Sequence, residues 1–225
     1  MRKISNIKIR NKILPMEATI TPVSVYAEST PNPTTMKFVA NKLLIGNGVT
    51  VEYTSAAEAK EFPLAAQLFN FPFVTGIFIA GNFISVTKNN LVEWMDVTLE
   101  LREFIRDYLA LNNNKTFIPE AVNPKEKPTT ETGENIKILT DDSGEKVFTP
   151  IEQRIIELLE EYIRPAVEQD GGAIQFKSYD KGTLRVVLKG SCSGCPSSSF
   201  TLKAGIQGLF QKMLPEVTEV VAEEA

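Results

Sequence analysis

Short runs of strand character open the chain's first folded stretch. Val23 to Glu28 and Met36 to Val39 flank the turn-rich Thr30-Pro31-Asn32-Pro33, whose prolines disfavour helix. Val49 to Tyr53 alternates apolar and polar residues, as a half-buried strand does. Pro63 suits the first turn of a short helix running to Phe69. Val74 to Ala80 and Phe83 to Thr87 flank Gly81-Asn82, a two-residue hairpin signal. From Leu91 the period lengthens: Trp94, Met95, Val97, Leu101, Phe104, Ile105, Tyr108 and Leu109 recur at helical spacing as far as Leu111.

A second patterned stretch begins near Phe148. Thr149 reads as an N-cap and Pro150 as the first helical residue, followed by an apolar stripe through Ile151, Ile155, Ile156, Leu158, Leu159, Tyr162, Ile163 and Val167. That helix is expected to stop at Asp170-Gly171-Gly172, where a glycine can take the left-handed conformation. Ala173 to Tyr179 and Thr183 to Leu188 read as strands around Asp180-Lys181-Gly182. A helix from about Ser198 to Met213, with Phe200, Leu202, Ile206, Leu209 and Phe210 apolar, and a strand from Val217 to Ala222 complete the order.

Between these stretches, Asn112-Asn113-Asn114-Lys115 and Pro124-Lys125-Glu126-Lys127-Pro128 hold few large apolar residues, too few to offset the entropy of ordering them. The expected fold class is therefore α+β: two small α+β domains, 21–111 and 148–225, joined by a flexible linker, 112–147, with an N-terminal extension, 1–20. The second domain is expected to be a three-stranded sheet covered by helices on one face.

Composition adds exclusions. The 225 residues are 43% apolar, ordinary for globular protein, and the formal charge of −4 offers no basic field for nucleic acid. Phe62 to Thr87 carries no charge, but Pro63, Pro72, Gly76, Gly81, Gln67, Asn70 and Asn82 interrupt it, so no membrane-spanning helix is expected. The first fifteen residues carry five Lys or Arg, no acid and only one Ser. They read as a transit peptide or as an arm ahead of a start at Met16, giving a cytoplasmic protein, or one of an organellar matrix if the peptide functions.

The chemistry concentrates in Gly190-Ser191-Cys192-Ser193-Gly194-Cys195-Pro196-Ser197, which holds the chain's two cysteines in a chain without histidine. Soft thiolates suit iron–sulfur clusters, zinc or Cu(I), and each usually takes more than two ligands. Lack of histidine removes Cys-His nucleophiles, Cys₂His₂ fingers and Rieske ligation. Either the dithiol acts alone as a redox pair, or a second copy supplies the missing ligands. A strand end before it and a helix start after it would lower the thiols' pKa and favour an anionic partner.

With Asp170-Gly171-Gly172-Ala173-Ile174-Gln175-Phe176 and Leu184-Arg185-Val186-Val187-Leu188 upstream, that run closely resembles the C-terminal domain of NifU-like proteins. Thr30-Pro31-Asn32-Pro33-Thr34-Thr35-Met36-Lys37-Phe38, Pro63-Leu64-Ala65 and Phe83-Ile84-Ser85-Val86-Thr87 resemble the N-terminal domain of Nfu proteins. The resemblance implies an iron–sulfur carrier, not an enzyme. In it, Cys192 and Cys195 of each of two subunits hold a shared [4Fe–4S] cluster, received from upstream donors and handed to client apoproteins. A [2Fe–2S] form fits the same four thiolates. The resemblance also implies that the N-terminal domain contacts clients or assembly factors.

Two rivals use the same cysteines: a thiol–disulfide oxidoreductase with Cys192 as nucleophile and Cys195 as resolving thiol, and a Cys₄ zinc clasp across a dimer. Inert burial of the cysteines would need apolar neighbours, which the Ser-Gly-Pro setting does not suggest. Glu152, Glu157, Glu160, Glu161 and Glu168 share a helix with Arg154 and Arg164 and read as a solvated, ion-paired face, not a hydrolytic pair.

Overall fold

A computed structural model describes residues 22–46, 48–112, 148–193 and 196–224, with 196–201 and 224 by backbone alone. The expected extension and, apart from Asn112, the expected linker lie outside the described residues.

The first unit is a five-stranded antiparallel sheet in the order β1-β2-β5-β4-β3, made of β1 (Val25–Ser29), β2 (Thr35–Ala40), β3 (Thr50–Tyr53), β4 (Val74–Ala80) and β5 (Phe83–Lys88). Gly81-Asn82 joins β4 to β5 as the pattern predicts, pairing Ala80 with Phe83. Because side chains alternate across a strand, the sheet has two separate apolar faces. Phe38, Ile77, Ile79, Ile84 and Val86 pack on the helices α1 (Pro63–Leu68) and α2 (Trp94–Leu111), whose Leu64, Leu68, Val97, Leu101 and Ile105 close the core. Truncating one such side chain to alanine costs about 2–5 kcal/mol. Val39, Phe78, Ala80 and Phe83 point the other way. The charge-free run from Phe62 to Thr87 is thus explained by strands buried on both sides.

Helix α2 begins later than the spacing suggests. Asn89 accepts the Leu91 N–H at 3.0 Å, and Glu93, in extended conformation, takes the N-cap position. Met95, placed on the apolar stripe by spacing, is 95% exposed, and Leu91 and Leu99 are exposed with it. The buried stripe is the i, i+4 series Val97, Leu101, Ile105 and Leu109.

The second unit follows its expected order. Thr149 caps α3 (Pro150–Leu158) in a complete capping box: its hydroxyl accepts the Glu152 N–H, and the Glu152 carboxylate accepts the Thr149 N–H. A π turn, Leu159–Ile163, carries this helix into α4 (Arg164–Gln169). The sequence reading took the helix as regular throughout. Pro165 prevents that, because it has no N–H to return to the carbonyl four residues before it, and the widened turn absorbs the mismatch. β6 (Gly172–Asp180) and β7 (Thr183–Gly190) form a hairpin closed by Lys181 and Gly182, and β8 (Glu219–Glu224) adds parallel to β7 after α5 (Pro196–Met213). Ile155, Leu158, Leu184, Val186, Ile206, Phe210 and Val220 form the core between sheet and helices.

Candidate functional site

A parallel neighbour requires a crossover, so the segment between β7 and α5 is the strand-to-helix turn of a β-α-β unit. Such turns line the crevice at the carboxyl ends of strands, where open sheets bind ligands. Cys192 lies on this turn, two residues beyond β7 and four before α5. Cys195 lies outside the described residues.

Cys192 is 4% exposed and belongs to the apolar core of the second unit. The adjacent serines predict polar surroundings; instead Cys192 joins an apolar cluster that includes Ile174, Leu188, Ile206 and Phe210. Gly172 makes the room: a Cβ there would stand 2.7 Å from the Cys192 Sγ and 2.6 Å from the Lys189 carbonyl oxygen. The Asp170-Gly171-Gly172 turn is also tied to the loop by hydrogen bonds. Ser191 N–H donates to the Gly171 carbonyl at 3.3 Å, and the Ser191 hydroxyl donates to the Asp170 carbonyl. Asp-Gly-Gly is therefore both a helix stop, with Gly171 at φ +83°, and the seat of the cysteine.

The outer face of the first sheet meets this loop. Ala173 joins Val39, Phe78, Ala80 and Phe83 in one apolar cluster. Asn32 Nδ2 donates to the Ser191 carbonyl at 3.2 Å and the Ser193 carbonyl at 3.4 Å. Ser85 Oγ donates to the Gly171 carbonyl at 2.6 Å, and Lys37 Nζ to the Gln169 carbonyl at 3.2 Å. Gly190 N–H donates to the Glu52 carboxylate at 3.2 Å. Gly190 has φ +65°, and a Cβ there would lie 2.7 Å from the Phe78 ring. Burial raises the Glu52 pKa above its ordinary value, while the Gly190 N–H and then Lys189 pull it back.

Sequence reasoning treated Asn32 as a turn residue and assigned Lys37, Glu52 and Ser85 nothing. The available signal was Lys37 and Ser85, paired across β2 and β5 and each flanked by apolar residues, Met36 and Phe38 on one strand and Ile84 and Val86 on the other. Trp94, read as core, is half-buried against it, and its Nε1 donates to the Pro33 carbonyl at 2.9 Å. Among the described residues no three His, Cys, Asp or Glu side chains gather as a metal site, and no helix is long and apolar enough to cross a membrane.

The family model for the scaffold protein Nfu/NifU N terminal matches residues 25–112, and that for the NifU-like domain matches residues 155–221. The chain belongs to the Nfu/NifU family. It is 37% identical over 196 residues to the "NFU1 iron-sulfur cluster scaffold homolog, mitochondrial" of Drosophila willistoni, covering 87% of this chain and 62% of that protein. Against the protein of the same name from Drosophila grimshawi the identity is 36%, covering 87% and 60%. The chain thus spans about three fifths of the length of these relatives. Among solved structures, the NifU-like protein from Saccharomyces cerevisiae aligns at 19% identity and TM-score 0.35, covering 49% of this chain and 90% of that one. Protein SAV1430 from Staphylococcus aureus aligns at 23% identity and TM-score 0.33, covering 36% and 98%.

Proposed function

We propose that this Nfu/NifU family protein is an iron–sulfur cluster carrier. In this reading Cys192 and Cys195 are the ligands, and each of two subunits gives both thiolates to one shared [4Fe–4S] cluster. The arrangement comprises a first domain of 21–111, a tether of 112–147 and a ligand-bearing domain of 148–225. The observation that carries the proposal is the seat of Cys192: a strand-to-helix turn strapped to Asp170-Gly171-Gly172, inside a segment matched as a NifU-like domain. Two thiolates per chain leave a four-coordinate cargo half-ligated, so a second copy completes it. Transfer to client apoproteins is by exchange of thiolates, not catalysis of a bond.

The first domain is the client-facing part. Met95 and Leu99 on α2, at 95% and 55% exposure, and Leu91 just ahead of it, at 79%, place large apolar side chains in solvent. If deletion of residues up to Leu111 alters neither client range nor transfer rate, that role is discarded. For location the reading is the cytoplasm, or the organellar matrix if residues 1–15 act as a transit peptide. The word "mitochondrial" in the relatives' names supports the matrix, and intact mass of the native protein decides.

Anaerobic reconstitution with iron and sulfide tests the core of the proposal. About four iron and four sulfide per dimer are expected, lost in Cys192→Ser and in Cys195→Ser. About two of each would assign a [2Fe–2S] form to the same thiolates. A colourless zinc-bound dimer, or a monomer cycling between dithiol and disulfide, would overturn the reading.

A further inference from the structure

A buried ligand is at odds with a shared cargo. For Cys192 to reach a cluster lying between two subunits its sulfur must come to the surface, yet the loop that carries it is held from outside by the other domain of its own chain. The hold is specific. Of the loop and the turn beneath it, the Ser191 and Ser193 carbonyls accept from Asn32, the Gly171 carbonyl accepts from Ser85, and the Gly190 N–H donates to Glu52. Phe78 presses on Gly190 more closely than any side chain there would permit. The same contacts cover one approach to the loop, so a second subunit cannot meet it from that side while the domains are docked.

We propose that the first domain is a clamp on the cysteine loop: Asn32, Glu52 and Ser85 are positioning residues that hold it closed over Cys192, and the two domains part when the cluster is taken up or given away. This rests on the carrier reading for what the opening serves, but not for the opening itself. The interface is of the kind that separates readily, a five-residue apolar cluster ringed by single hydrogen bonds to backbone. By fixing the loop, the clamp keeps Cys192 packed in the core of its own domain and so keeps an unloaded ligand out of solvent, where a thiol would otherwise be oxidised.

Asn32 offers a clean test because its two ends do different work. Its Oδ1 accepts the Thr34 N–H at 3.0 Å and the Thr34 hydroxyl at 2.7 Å within the first domain, while its Nδ2 serves the loop. Asn32→Asp keeps the first set and sets a carboxylate oxygen against two carbonyls. Thr34→Val disturbs the turn and leaves the loop donors in place.

The measurement is the rate of Cys192 alkylation by iodoacetamide in the full-length, cluster-free protein, read by peptide mass. We expect Ser85→Ala to raise it about tenfold, the consequence of losing one buried hydrogen bond, Asn32→Asp, which loses two, to raise it at least as much, and Thr34→Val to leave it within about twofold. Equal rates in wild type, Asn32→Asp and Ser85→Ala, or a wild-type rate equal to that of the unfolded chain, would overturn the clamp. In protein loaded by iron and sulfide, hydrogen exchange at Gly190 N–H should accelerate; unchanged protection there would also overturn it. Failure to load any cluster would sink the carrier reading alone, since alkylation reads the clamp without one.

Discussion

Gly172 has no room for a methyl group, and the two atoms that exclude it are a backbone oxygen and the sulfur of Cys192. Neither is the far end of a flexible side chain, so Gly172→Ala must displace the loop or the strand. A loss of about 1–3 kcal/mol is expected, the usual cost of overfilling a packed site, together with weaker cluster retention. Gly205 sets the contrast. It lies exposed within α5, and a Cβ there would meet nothing within 4 Å. Gly205→Ala should raise stability by about 1 kcal/mol through helix propensity alone. Denaturant unfolding of the two variants beside wild type checks both signs, and a harmless Gly172→Ala would mean that Cys192 is not held where the packing puts it.

Where structure is decided locally, it could be read from the sequence. The α3 start is an example: Thr149, Pro150 and Glu152 carry the whole N-terminal signal within four residues, and the capping box they form should make Thr149→Ala cost about 1 kcal/mol in equilibrium unfolding. Both hairpins were legible for the same reason, since Gly81-Asn82 and Lys181-Gly182 force the reversal themselves. The π turn was not, because Pro165 could as well have ended the helix, and only packing of Ile163 and Val167 into the second core keeps the chain helical past it. Met95 was misplaced since Leu91, Met95 and Leu99 mimic a core stripe at i, i+4 spacing while the true one runs through Val97, Leu101 and Ile105. For the site, the cysteine loop stood out by composition alone. Its burial did not, and neither did the four side chains that hold it, because Asn32 and Glu52 have their partners more than a hundred residues away.

At the scale of the whole molecule, joining the domains has an electrostatic cost that can be measured. The Glu52 side chain is exposed over much of its length, but its carboxylate end faces Gly190, and desolvation there raises its pKa above the ordinary value of 4.5. The native chain therefore keeps that proton to higher pH than the unfolded chain does. Stability is then greatest below the unfolded pKa and falls as pH rises through the native one, because the unfolded state binds fewer protons in that interval. Glu52→Gln removes the titration and keeps an Oε1 to accept the Gly190 N–H. Its denaturation midpoint should match wild type near pH 4 and exceed it near pH 7, with Cys192 alkylation slowed at the higher pH because the domains dock without burying a charge. Should Glu52→Gln instead be the less stable protein near pH 7, the charge-assisted bond to Gly190 outweighs desolvation. The carboxylate would then fasten the clamp at neutral pH, and acid rather than base would loosen it.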